Sequence, residues 1–254
     1  MGLGETTGGD GVLRGGGRFA VRALPGSPSV VEKRGDPSAL TREAAALRRL
    51  AGSDVAPVLV SVEGGVLRSH LLPGRPCAAP DLDARDLRAL GVLLRRVHDT
   101  AHQSTGRLPA WASPARTLRA YRRRRLADAV ALGGPHPGTL PELPPTDEAR
   151  PFRLLHGDLV GENIVWTPRG PRLVDWEFWR IGDPAEDLAY LVELNELSPQ
   201  ATDSVLAGYG VPDMLPRLDA WRAVVVLDAG AWYEREGKGE EASRLLRRAT
   251  DLLP

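Results

Sequence analysis

The sequence predicts an α+β fold of two lobes, a small β-sheet lobe with one helix at the N-terminus and a larger, mainly helical C-terminal lobe. Three observations lead there. Short extended runs punctuated by Gly and Pro fill the first 72 residues, with one helical stretch among them. Beyond Leu72-Pro73-Gly74-Arg75-Pro76, which reads as a hinge, apolar residues recur at helical spacing. Between the helical blocks stands one polar segment, His156-Gly157-Asp158-Leu159-Val160-Gly161-Glu162-Asn163, followed by Val174-Asp175-Trp176-Glu177. The expected division is 1–73 for the first lobe and 74–254 for the second.

Element by element, 19–24 and 29–33 read as strands around Pro25-Gly26-Ser27-Pro28, and Gly15-Gly16-Gly17 lies between short extended runs before them. A helix is expected over 38–50, closed by Gly52, then strands at 58–62 and 66–72 around Glu63-Gly64-Gly65. Leu87, Leu90, Leu94 and Val97 mark an amphipathic helix over 83–100, and another is expected at 115–132. The stretch 133–151 holds six prolines and reads as an irregular connection. Ile164-Val165-Trp166 and Arg172-Leu173-Val174 form a hairpin around Thr167-Pro168-Arg169-Gly170, and helices follow at 185–197, 201–208, 216–236 and 239–253.

Hydrophobic residues make up 42% of the chain and charged residues 26%, enough for a real core with an ordinary surface. The single cysteine, Cys77, excludes an internal disulfide framework and suits a reducing cytoplasm. The N-terminus lacks a basic region and an apolar run, and no stretch approaches the roughly 18 apolar residues of a membrane span. A cytoplasmic protein, a monomer or weak homodimer without membrane contact, is the expectation. Net charge is zero, but from Asp175 onward 16 Asp/Glu face 8 Lys/Arg, an acidity that favours a cationic partner. Arg122–Arg125 raises nucleic-acid binding; no aromatic residue interleaves the run and the pI is near 7.0, so it reads as a solvated helix face with no nucleic-acid partner.

Asp158 stands five residues before Asn163, and Asp175 twelve residues beyond that. A hairpin sets the residue before its first strand beside the residue after its second, so Asn163 and Asp175 are expected to be neighbours. One carboxylate to orient a hydroxyl, and two oxygen ligands for a magnesium ion, is what phosphoryl transfer needs. Arg occurs 31 times but Lys only at Lys33 and Lys238, so Lys33 has a task that a guanidinium does not serve, such as meeting a phosphate as a point charge. Glu43 lies on the apolar stripe of its helix with Leu40 and Leu47, where a carboxylate needs a cation, and Lys33 is the natural one. On 216–236, Leu218, Trp221, Val225, Asp228 and Trp232 share a stripe; an acid between two tryptophans suits an ammonium group, with Trp176, Trp179 and Tyr233 as further aromatic candidates.

The string His156-Gly157-Asp158 to Asn163, then Val174-Asp175-Trp176-Glu177 and Gly182-Asp183-Pro184 to Asp187-Leu188-Ala189, resembles the aminoglycoside phosphotransferase / choline kinase family. The resemblance runs in order along nearly the whole chain and implies a protein-kinase-like two-lobe fold and an ATP- and Mg2+-dependent kinase. It implies Asp158 as the catalytic group at the acceptor hydroxyl, Asn163 and Asp175 as metal ligands, and Glu177 as a secondary metal or water ligand. Lys33 would hold the α- and β-phosphates, Glu43 would hold Lys33, Gly16 would belong to a phosphate-covering hairpin, and adenine would lie near Ser69 and Leu71. Asp187 would support the catalytic loop and His156 would be scaffold. The acceptor implied is a hydroxyl of a small cationic molecule, an aminoglycoside-type antibiotic or a choline-like amino alcohol, with Asp228, Trp179 and Trp232 as its contacts. Gly15-Gly16-Gly17 departs from the family pattern. Two other readings share the fold: a catalytically silent nucleotide-binding regulator, and a protein kinase, against which no Asp-Phe-Gly or Ala-Pro-Glu element follows Asn163.

Overall fold

A computed structural model of the chain describes residues 12–14, 19–24, 27–76, 82–100 and 152–253. The expectations for Gly16, Cys77, Arg122–Arg125, a helix at 115–132 and an irregular 133–151 lie outside the described residues.

The N-terminal part is a five-stranded antiparallel sheet of β1 (Val12–Arg14), β2 (Ala20–Leu24), β3 (Ser27–Arg34), β4 (Leu59–Glu63) and β5 (Val66–His70), in the order β1-β2-β3-β5-β4. Registers Val21↔Lys33↔Leu67 and Ala23↔Val31↔Ser69 put Lys33, Val31 and Ser69 on one face, because directly paired residues share a face. Helix α1 (Pro37–Arg49) packs under it. Its start is set by Asp36, whose side chain accepts from Ser38 N at 2.9 Å, with Pro37 in the first turn. Leu40, Ala44 and Leu47 are buried there with Glu43 among them.

After β5 the chain crosses to the second part, where β6 (Arg75–Pro76) pairs with β8 (Ile164–Thr167) and β8 with β9 (Gly170–Leu173). A further ribbon joins β7 (Arg153–Leu155) to β10 (Arg180–Gly182). β6, β7 and β10 are two or three residues long and were not expected, since segments that short carry no periodicity and exist only through long-range pairing. The helices are α2 (Ala84–Thr100), α3 (Pro184–Leu194), α4 (Pro199–Tyr209), α5 (Met214–Arg235) and α6 (Gly239–Asp251), close to the expected bounds. No described helix is long and apolar enough to cross a membrane.

α2 and α4 cross with their backbones nearly touching. A Cβ on Gly91 would lie 2.0 Å from the Val205 carbonyl oxygen, and one on Gly208 would lie 2.1 Å from that of Arg88. Backbone on both sides leaves nothing flexible to yield. Gly208→Ala is therefore expected to cost on the order of 2–3 kcal/mol and lower the melting midpoint by about 4–12 °C, read by calorimetry, whereas Gly52→Ala, whose Cβ meets nothing within 4 Å, loses only the strain of its φ of +79°.

Candidate active site

The candidate site lies where the sheet lobe meets the β8–β9 hairpin. Lys33 is buried on β3; its Nζ donates to Glu43 Oε2 at 2.8 Å and to Asp175 Oδ1 at 2.6 Å, with the Phe19 ring 4.1 Å away. Burial pulls the ammonium down, but the charges of Glu43 and Asp175 outweigh it and hold Lys33 above its ordinary value. Burial pushes Glu43 up against the pull of Lys33. Asp175, at the end of β9, takes a left-handed φ of 65°, a sparsely populated conformation for a residue with a side chain.

Val174 N donates to Asn163 O at 3.0 Å, so the hairpin does set Asn163 and Asp175 side by side. The Asn163 amide nitrogen donates to Asp158 O at 2.9 Å and to Asp158 Oδ2 at 3.0 Å. With its nitrogen committed to Asp158, the Asn163 amide keeps its oxygen as the acceptor available to a cation. An amide oxygen and a carboxylate, with room for phosphate and water oxygens, fit the donor set of a magnesium ion. Asp158 is pushed up to about 7, first by burial and next by the negative charge of Asp175. Glu177 is buried on the short 3-10 turn Trp176–Phe178 that follows Asp175.

Behind the loop, Asp187 of α3 is fully buried and accepts from His156 N at 2.8 Å, Gly157 N at 2.9 Å and His98 Nε2 at 3.1 Å. Burial alone would raise it; the hydrogen bond from His98, helped by the nearby histidines and the His156 amide, more than offsets this and holds it below the usual carboxylate range. His156 is neutral scaffold. Asp158 N donates to its Nδ1 at 3.2 Å, which leaves Nε2 as the protonated nitrogen, donating to Val174 O at 2.9 Å, and burial lowers its pKa. Gly157 has φ +83°, and a Cβ there would sit 2.7 Å from Phe178 O, so glycine is required.

A cleft of about 1360 Å³ runs from the sheet past these groups, lined by Val31, Lys33, Ser69, Leu71, Asp175, Glu162, Glu196, Tyr233 and Arg244. A drug-sized pocket takes roughly 300–1,000 Å³, so this one has room for a nucleotide and a second molecule together. The Tyr233 phenol is pushed up by burial and then by the charges of Asp158 and Glu162, which places it at the Asp158 end.

Three residues expected at the acceptor end lie elsewhere, the first being Trp176, which is fully buried with its Nε1–H donating to Leu173 O at 3.0 Å. Asp228 is buried and accepts a hydrogen bond from the Tyr190 hydroxyl, and it sits in the α3–α5 contact. Trp179 is buried beneath α1, its Nε1–H donating to Arg42 O at 2.7 Å. Leu218, Trp221 and Val225 are buried too, so most of that stripe is core. Trp232 is half-buried at the end of α5, edge-on to Tyr233 at 5.1 Å. Much of the acidity after Asp175 is likewise internal, with Asp183 bound to Arg217, Glu186 to Arg180, and Glu193 to Arg222 and Arg248. The described carboxylates that line the cleft are fewer: Glu43, Glu162, Asp175 and Glu196. His98 and Asn195 were missed. His98 interrupts the apolar side of its helix, and Asn195 is one of only two asparagines, signals of the kind that singled out Glu43 and Lys33.

A sheet-and-helix lobe over a helical lobe, with a lysine–carboxylate pair facing an Asp–Asn–Asp set, defines the protein-kinase-like class of phosphotransferases. Residues 13–221 match the model of the phosphotransferase enzyme family, and the chain belongs to that family. Viomycin phosphotransferase of Streptomyces vinaceus is 34% identical over 93 residues, 35% of this chain and 32% of that protein. Thiamine kinase of Salmonella heidelberg (strain SL476) is 32% identical over 117 residues, 44% of this chain and 43% of that protein. The chain thus spans under half the length of these curated relatives. Choline kinase from Cryptosporidium parvum shares the fold, with a TM-score of 0.72 over 95% of this chain and 87% of that one at 12% identity.

Proposed function

We propose that this chain is an ATP- and magnesium-dependent small-molecule kinase that phosphorylates a hydroxyl of a cationic acceptor, with 1–73 holding the nucleotide and 74–254 the metal and acceptor. The observation that carries the reading is that Lys33 and Asp175, bonded to each other, line a cleft large enough for two molecules, with the bonded pair Asn163 and Asp158 on the adjoining loop. Lys33, steadied by Glu43, sits where the α- and β-phosphates of ATP would run. Val31, Ser69 and Leu71 offer the base an apolar wall and backbone groups. Asn163 and Asp175 would hold the magnesium ion, which neutralises phosphate charge when bound. Asp158 orients the acceptor hydroxyl; as its oxygen bonds to the γ-phosphorus and the bond to the ADP oxygen breaks, the hydroxyl proton passes to the Asp158 carboxylate. Glu162, Glu196 and Tyr233 favour a cationic acceptor at that end. The relatives' names support a small acceptor over a protein.

The test is ATP consumption with Mg2+ and a panel of thiamine, choline, viomycin and a generic protein substrate. Turnover with at least one small cation and none with protein is expected. Nucleotide binding without turnover on any hydroxyl compound would overturn the reading in favour of a regulator.

A further inference from the structure

The C-terminal helix and the turn before it carry two cations whose side chains the fold does not need. α6 is already fixed by buried Ala242, Leu245 and Ala249 and by Arg248, which donates to the buried Glu193 at 2.7 Å. The turn is closed by backbone bonds from Lys238 N to Tyr233 O at 2.9 Å and from Ala242 N to Lys238 O at 3.0 Å. The Lys238 ammonium lies instead over an aromatic pair, 5.3 Å from the Tyr233 centroid and 5.7 Å from that of Trp232. The Arg244 guanidinium bonds to Glu196, and each of these two side chains is 56% exposed.

Of these partners Tyr233 and Glu196 line the cleft, together with Arg244 and Asp175, and Trp232 stands edge-on behind Tyr233 at 5.1 Å. Glu196 is delivered there by its backbone, a left-handed φ of 52° directly after Asn195. The Asn195 amide in turn donates to Leu159 O at 2.7 Å and Leu191 O at 2.8 Å, tying this turn to the loop that carries Asp158. Composition adds an independent sign. Where this chain needs a generic cation it uses arginine, yet position 238 holds its second lysine, a compact ammonium on aromatic faces. Exposed ion pairs and exposed cation–π contacts hold weakly, so both are readily exchanged.

We infer that Lys238 and Arg244 are built-in competitors for the acceptor: they cover the Trp232–Tyr233 rings and the Glu196 carboxylate that receive its cationic groups, and the acceptor binds by displacing them. The inference rests on the cationic-acceptor reading above. It turns a permissive acidic cleft into a selective one, since a neutral polyol displaces neither cation.

Titration calorimetry of the full chain with choline, thiamine and viomycin tests it without requiring turnover. Lys238→Gln and Arg244→Gln are each expected to tighten binding of at least one probe by about two- to fivefold, and the double variant by about five- to twentyfold, with an unchanged melting midpoint. Adding Glu196→Gln to the Arg244→Gln variant should abolish its gain. Arg247→Gln, which removes an exposed charge from the same helix, is the control for bulk electrostatics and should change affinity by less than about 1.5-fold. Unchanged or weaker binding of all three probes by the double variant, or an equal gain from Arg247→Gln, overturns the inference. Absence of phosphate transfer by the wild-type chain would sink the kinase reading while leaving the titration to decide this one.

Discussion

Asp158→Ala is expected to lower kcat by about 10²–10⁴-fold while ATP affinity changes less than about threefold, measured by steady-state kinetics and nucleotide titration. Among the described residues its hydrogen bonds run within its own loop, to Asn163 and His156. Its protonation sets the pH dependence. The carboxyl is raised by burial and must be ionised to take a proton, so kcat should fall about tenfold per unit on the acid side of its pKa, which bound magnesium would draw below the value of about 7. The same shift has a stability consequence of opposite sign. A carboxyl raised above its ordinary 3.8 favours the fold only while protonated; that contribution is complete below about 3.8 and is lost as pH rises through 7. Asp158→Asn removes the buried charge, so the variant should be more stable than the wild type at pH 8, on the order of 1–2 kcal/mol, and indistinguishable from it near pH 3.5. A variant with near-normal turnover, or one destabilised at pH 8, would contradict the assignment.

Asp175→Ala should behave differently, losing catalysis by more than about 10³-fold and also the magnesium dependence of nucleotide binding. In the wild type, chelating magnesium should weaken ATP binding about tenfold or more; in the variant, ATP should bind equally weakly with and without the metal. The variant also frees Lys33 from one of its two carboxylates, leaving the 2.8 Å bond to Glu43 to hold it. Some phosphate affinity should therefore survive. Retained metal dependence in the titration would remove Asp175 from the ligand set.

Much of this was legible in the sequence wherever burial and spacing act on the same residue. Glu43 was marked by standing on an apolar stripe, Lys33 by its rarity, and the closeness of Asn163 to Asp175 by the geometry of a hairpin. The bond from Lys33 to Asp175 was not legible, because the two residues are 142 positions apart and no local pattern encodes the approach of a sheet to a loop. The proposed acceptor end was read least well, for a related reason. Periodicity places Asp228 on a face of its helix but does not say what covers that face. The face packs on α3, where a buried carboxylate needs a donor and finds the Tyr190 hydroxyl. The residues that do reach the cleft, Glu196 and Arg244, come from a helix end and an exposed helix face, where charge is so common that it carries no signal.

The division of carboxylates between interior and cleft makes the molecule respond to salt in two registers. Asp183, Glu186 and Glu193 are buried against their arginines and are little screened by added electrolyte, so the helical framework keeps its shape as ionic strength rises. Glu162 and Glu196 are exposed and lose their reach over a Debye length of about 8 Å at physiological salt. At high ionic strength the chain is therefore expected to stay folded, while the proposed attraction of a cationic acceptor to the cleft fades.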